Sequence, residues 1–413
     1  MTDQSDPHPP SPPPPPPPPT RTIQLQDLTA ISVLGRGSKG VVFLISHLSS
    51  GETFALKAIS RSSLEHKNSA SSSAADGRGR SAYRRICFEH EVLLALNHPL
   101  FPSLHGVVST ENIIGFVIDH CPGGDLNALR RRQTEKMFSD DVIRFYAAEL
   151  VLALEYLHQL GIAYRDLKPE NVLIQKNGHL MLVDFDLSAK LTLNPLPEIQ
   201  RRKPPSAQKK KKRALFKCFG IADVSPEILN SDHPNQPPLS STTAKSNSFV
   251  GTEDYVAPEI IEGKGHDFSV DWWCLGVVLY EMLYGRTPFR GISRKETFYR
   301  ILTKSPELVG EPTTLRDLIG RLLEKNPGKR ITGREIRRHE FFQGVDWGSL
   351  VEMARPPFIP AAVERTQSGD CLDVETVVEE ISTGARGGKG VVSDGNAAVD
   401  GKNSSRNDDF YVF

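Results

Sequence analysis

Apolar and polar positions alternate through residues 27–120, and turn signals such as Ser49, Ser50, Gly51 and Glu52 break the runs. A period of two reads as a mostly antiparallel sheet, with room for one helix. The period then changes. In residues 125–190 and 250–342 apolar residues recur every three or four positions, and Val142, Tyr146, Leu150, Leu154 and Leu157 make one helical stripe. Ser139 stands where such a helix would be capped, and Asp140 and Asp141 suit the positive end of its dipole. The pattern predicts an α+β, bilobal fold: a small antiparallel β lobe with one main helix, a large helical lobe, and a cleft between them.

Four stretches lack such a period. Residues 1–27 are proline-rich and read as an extended arm. About residues 61–81 the chain is rich in Ser, Ala and Gly, and about 191–247 it is polar with a basic middle. In the tail, residues 343–413, the part from 362 to 409 is rich in Gly, Ser and acidic residues and reads as unfolded. One domain is therefore expected at 28–342, carrying two flexible insertions.

Composition narrows the partners. Lys plus Arg number 50 and Asp plus Glu also 50, so no global field favours nucleic acid or a membrane. The five cysteines, at 87, 121, 218, 274 and 371, have neither metal-ligand nor disulfide-framework spacing. No apolar h-region or membrane-length run is present, so a soluble, intracellular monomer is expected, in the cytoplasm and nucleus.

Candidate chemistry lies at three places. Leu34, Gly35, Gly37, Gly40 and Val42 form a glycine-rich strand–turn–strand, where missing Cβ atoms let backbone come close to phosphate oxygens. Lys57 stands alone in the apolar strand around Ala55, and a buried ammonium needs anionic partners such as phosphates. Most specific is the run Tyr164, Arg165, Asp166, Leu167, Lys168, Pro169, Glu170, Asn171, followed by Asp184, Phe185 and Asp186. Phosphoryl transfer wants a carboxylate near the attacking hydroxyl, a cation near the γ-phosphate and oxygen ligands for Mg²⁺. Asp166, Lys168, and Asn171 with Asp184 offer these in order.

Together these motifs resemble the protein kinases, and the resemblance runs from about residue 28 to 342. Ala257, Pro258 and Glu259 are similar to the end of the activation segment, Asp271 to the start of the following buried helix, and Arg330 to the partner of Glu259. The resemblance implies ATP as phosphoryl donor and Mg²⁺ as cofactor. It implies that Glu89 pins Lys57, with Glu91 as the rival, and that Val42, Ala55 and Leu173 sandwich adenine. Ile118 would be the gatekeeper, His120 and Cys121 the hinge, with Asp119 and Cys121 binding ATP, and Asp125 would sit near the ribose. Thr252 is similar to the residue that marks serine/threonine rather than tyrosine specificity.

The segment around Ser248, Pro356 to Pro360 and the terminal Phe410 and Phe413 resemble the AGC group. There Ser248 would be phosphorylated and clamped by Arg165, and Phe410 with Phe413 would dock the small lobe and recruit an upstream phosphoinositide-dependent kinase. Asp125 and Glu170 match positions that hold basic residues of a protein substrate. Asp186 in place of glycine, and about sixty residues between it and Ser248, resemble the plant-specific AGC kinases, and within them the stretches from His98 to Gly106 and from Arg294 to Arg300 resemble the oxidative-signal-inducible branch. That branch implies a role in oxidative stress, defence or growth signalling. Because Asp186 tolerates fewer backbone angles than glycine, an inactive scaffold is the alternative. The run Lys209, Lys210, Lys211, Lys212, Arg213 admits three readings: a solvated charge run, a nuclear-import signal, or a patch for anionic lipid at the plasma membrane.

Overall fold

The computed structural model describes residues 21–37, 40–64, 78–191, 252–353, 356–360 and 372–383. The small lobe is built on β1 (Leu28–Gly37), β2 (Gly40–His47), β3 (Thr53–Ser60), α1 (Arg78–Ala95), β4 (Leu104–Ser109) and β5 (Ile113–Ile118). Its sheet runs β1-β2-β3-β5-β4 and is antiparallel throughout. In β2 the buried residues are Val41, Phe43 and Ile45, a strict period of two. On the other side, α1 brings Ile86, Val92 and Leu93 against Ile59 and Phe116.

The large lobe holds α2 (Leu126–Arg131), α3 (Asp140–Gln159), and the short strands β6 (Ile162–Ala163), β7 (Val172–Ile174), β8 (Leu180–Leu182) and β9 (Ala189–Lys190). It continues through α4 (Pro258–Ile261), α5 (Ser269–Tyr284), α6 (Arg294–Thr303), α7 (Thr314–Leu322) and α8 (Gly333–Arg337). The stripe expected on α3 is broader than predicted. Ile143, Phe145, Ala147, Ala148, Val151 and Ala153 are buried as well, because α5 and β8 both pack on it, while Val142 is only half-buried. Ser139 is the N-cap residue but its side chain makes no capping bond. Helix α5 is apolar nearly all round, as a helix enclosed on every side must be. Beside it Arg330 grips Glu259 through two buried bonds of 2.7 and 3.0 Å.

Three segments depart from the expectation of unfolded chain. Residues 21–27 lie along the sheet: Thr22 bridges Val107, and the Ile23 amide donates to the Val107 carbonyl at 2.9 Å. Helix α1 begins at Arg78, inside the expected insertion. In the tail, α9 (Val374–Thr383) buries Val374 and Val378 in the cluster of Ala30, Phe43, Ile45, Val108 and Val117. Leu372 bridges Ala30, and Glu375 accepts from Thr110 Oγ1 and from Asn112 Nδ2. Val374, Val377, Val378 and Ile381 are one helical face, hidden in the sequence by the Gly- and Ser-rich chain around them. Upstream, Phe358 crosses the β7–β8 turn so closely that a Cβ on Gly178 would come within 2.3 Å of its carbonyl oxygen. No helix among the described residues is long and apolar enough to cross a membrane.

Candidate active site

A cavity of about 220 Å³ opens where the lobes meet. Leu34 and Val42 of the β1–β2 hairpin, Ala55 of β3 and Leu173 of β7 form its apolar walls, with Ile118 and Cys121 behind. Gly35 and Gly37 lie in the hairpin, paired with Val42 and Gly40. Gly40 carries a further requirement: a Cβ there would meet the Ala58 carbonyl oxygen of β3 at 2.2 Å. Packing against the sheet, as well as approach to a ligand, excludes a side chain there. Burial pushes the Cys121 thiol up to about 12, which leaves it a small apolar wall residue.

At the polar end, Lys57 Nζ reaches Glu89 Oε1 at 2.6 Å and Asp184 Oδ1 at 2.9 Å. Glu91, the alternative on the same helix, is exposed. Burial disfavours the Lys57 charge, but the Asp184 and Glu89 carboxylates outweigh it and hold the ammonium above its ordinary range. The ammonium is thus a fixed cation at the inner end of an apolar slot.

Asp166 is the hub of the second cluster. Its Oδ1 accepts from Thr252 Oγ1 at 3.2 Å, and its Oδ2 from Lys168 Nζ at 3.2 Å and Asn171 Nδ2 at 3.1 Å. Burial raises its carboxyl above the usual range, Lys168 partly reverses this, and the Asp184 charge adds to it. The Asn171 amide also donates to the Asp166 carbonyl at 2.9 Å, leaving Asn171 Oδ1 buried without a partner. A buried orphan acceptor is a costly group unless something binds it. With the Asp184 carboxylate it could offer two oxygen ligands to a Mg²⁺ ion whose shell phosphates and water would complete. Among the described residues no three His, Cys, Asp or Glu side chains gather to enclose a metal by themselves.

Strain is concentrated here. Among the described residues the left-handed non-glycine positions are Glu135, Lys136, Arg165 at φ 69° and Asp184 at φ 60°, two of them in this site. Asp186, which stands where glycine would allow more backbone angles, is not among them. Its carboxylate is nearly buried, 3.9 Å from Arg85 of α1. Arg165 is held from below: Asp271 of α5 accepts the Arg165 amide at 2.7 Å, the Tyr164 amide at 2.9 Å and His158 Nε2 at 2.8 Å.

The remaining predicted residues divide. Asp119 accepts from the Ser103 amide at 2.8 Å and His105 Nε2 at 2.6 Å, so its side chain is committed to the hinge and only its backbone is left for a ligand. Asp125 lines the cavity while capping α2 through the Ala128 amide at 2.7 Å. Glu170 accepts from Asn127 Nδ2 at 2.9 Å, and its Oε2 is buried without a partner. Next to it Glu281 pairs with Arg130 at 2.9 Å and accepts from Tyr255 Oη. Glu281 and Arg130 were not anticipated, because an acid inside a buried helix carries no signal of its own. Ser248, Phe410, Phe413 and residues 209–213 lie outside the described residues.

A two-lobed fold with a cationic slot, a buried carboxylate hub and the unpartnered Asn171 oxygen defines the class. The chain matches the protein kinase domain over residues 28–202 and 234–342 and belongs to that family. It is 54% identical to the serine/threonine-protein kinase OXI1 of Arabidopsis thaliana, over 88% of this chain and 86% of that one. It is 41% identical to the kinase UCNL of the same plant, over 87% and 90% of the two chains. With phototropin-2 of rice, Oryza sativa subsp. japonica, it shares 41% identity over 81% of this chain but 34% of that longer protein. The protein is a serine/threonine protein kinase of the plant AGC group, with ATP as its donor and proteins as its acceptors.

Proposed function

We propose that this kinase is competent for transfer, reads basic residues in its substrates, and is switched on through its activation segment in stress or growth signalling. The observation that carries the first part is Lys57 tied to both Glu89 and Asp184 while Asn171 Oδ1 stands open. In this reading Lys57 holds the inner phosphates of ATP, adenine lies between Val42, Ala55 and Leu173, and the backbone of Asp119 and Cys121 meets its edge. Mg²⁺ bound to Asn171 and Asp184 would neutralise charge on the phosphates. Asp166 orients the acceptor hydroxyl and takes its proton, and Lys168 steadies the transferred group. Thr252, bonded to both Asp166 and Lys168, ties the activation segment to that chemistry.

The half-buried Glu170 carboxylate supports the preference for basic substrates, because Asn127 is bonded to only one of its oxygens and a carboxylate pairs well with arginine. The resemblance of Ser248 to the phosphorylated position of AGC kinases supports switching by a phosphoinositide-dependent kinase, docked through Phe410 and Phe413. The likeness to a kinase named OXI1 supports the oxidative-stress setting.

The test is transfer of radiolabelled γ-phosphate by the full-length protein to an arginine-rich serine peptide at varied Mg²⁺. Incorporation that rises after treatment with the phosphoinositide-dependent kinase and vanishes in Asp166→Asn is expected. Glu170→Gln should raise KM for that peptide roughly tenfold or more while sparing KM for ATP. No incorporation by any sample would return the protein to the scaffold alternative.

A further inference from the structure

Among the described residues, two contacts hold the Arg165 side chain. Its Nε donates to the Leu187 carbonyl at 2.7 Å, and its Nη1 lies 3.3 Å from Nε2 of His266. Arg165 is 7% exposed and His266 2%. A guanidinium has donors only and stays charged, so this contact fixes the chemistry of its partner. His266 Nε2 must be the unprotonated acceptor, with any proton on Nδ1. Protonating the ring would set two cations face to face in a space from which water is excluded.

We infer that His266 is a positioning residue for phosphoryl transfer: its neutral imidazole holds the Arg165 guanidinium beside the catalytic loop and lets go on acidification. The inference rests on the reading that Arg165 couples the activation segment to Asp166, its neighbour in the chain. His266 precedes α5, and Asp271 of that helix already fixes the Arg165 backbone through a 2.7 Å bond. Helix α5 and the loop that leads into it therefore grip both ends of the same residue, the amide through a carboxylate and the head group through an imidazole. Only the second grip contains a group that titrates near neutrality.

The groups around the ring oppose one another. Burial and the Arg165 charge push the His266 pKa below its ordinary value, while Glu259 of α4, Asp271 of α5 and the adjoining Asp267 work the other way. The lowered pKa means that the contact is intact at neutral pH and opens as pH falls through that value.

The test is kcat of the full-length kinase from about pH 5 to 8, on a basic peptide at saturating ATP, for wild type, His266→Gln, His266→Leu and Arg165→Ala. Glutamine can accept from Arg165 at any pH, so His266→Gln should keep turnover at neutral pH and move the acid limb to lower pH. His266→Leu should lower kcat roughly tenfold at every pH, with KM for ATP unchanged. Full turnover by His266→Leu, or an acid limb of His266→Gln that superimposes on wild type, overturns the inference. If Arg165→Ala also turns over normally, the reading of Arg165 fails instead. Should His266→Leu melt below the assay temperature, the limb of His266→Gln alone decides.

Discussion

Lys57 of β3 and Asp184 of the loop after β8 stand 2.9 Å apart, though 127 positions separate them in the chain. This bond crosses the cleft, and Glu89 at 2.6 Å closes it from α1. Lys57→Met removes the cation while leaving the two carboxylates buried together. Transfer of labelled phosphate should fall by a factor on the order of a hundred or more, and isothermal titration should show ATP binding weakened.

Asp166 carries three side-chain donors and a carboxyl raised mainly by burial. Asp166→Asn keeps the size and loses the proton acceptor, so kcat should drop by about a hundredfold to ten-thousandfold with KM for ATP little altered. In His266→Gln, where no imidazole titrates against Arg165, the remaining acid limb should follow the raised pKa of Asp166, because protonation removes the base. A pH–rate profile of kcat whose acid limb lies within the ordinary carboxylate range would contradict the burial argument.

Asn171→Ala leaves the fold its backbone but removes the orphan oxygen, along with the two bonds to Asp166. The Mg²⁺ concentration for half-maximal rate should rise roughly tenfold or more, by loss of one of two protein ligands. A magnesium titration of initial rates gives the answer directly.

The bidentate pair of Arg330 and Glu259 is buried on both sides. Arg330→Leu strands a carboxylate away from water, which costs about 3–5 kcal/mol. Thermal unfolding should show a lower midpoint, and the loss should reach α4 and so the end of the activation segment.

Helix α9 covers an apolar face of the small-lobe sheet through Val374 and Val378. Val378→Asp would set a charge in that cluster and should destabilise the lobe by about 2 kcal/mol or more. Hydrogen exchange should then quicken in β1 and β2 while the large lobe keeps its protection.

These residues were unequally visible before the fold was known. Asp166, Asn171, Asp184 and Lys57 could be read because phosphoryl transfer demands particular side chains at short, fixed spacings, and such spacings survive in a linear text. The alternation of β2 and the stripe of α3 could be read because each repeats over several residues. Glu281, His158 and His266 could not. Each acts through a partner more than a hundred positions away, and inside an apolar helix or a loop a lone polar residue looks like any other. Helix α9 failed for a third reason: four apolar residues suffice to cover a sheet that is already folded, but they are too few to stand out from the polar tail around them.

The ordinary backbone of Asp186 bears on how the enzyme could be blocked. Glycine at that place would let the adjoining Phe185, fully buried here, swing out by a rotation that a Cβ resists. A compound that binds only after Phe185 has left the core must overcome that resistance. It must also part the Asp186 carboxylate from Arg85. A compound that fills the slot between Val42, Ala55 and Leu173 and leaves Phe185 in place meets neither obstacle. Of two inhibitors equally potent on a glycine-bearing relative, the second should therefore keep its potency on this kinase and the first should lose it.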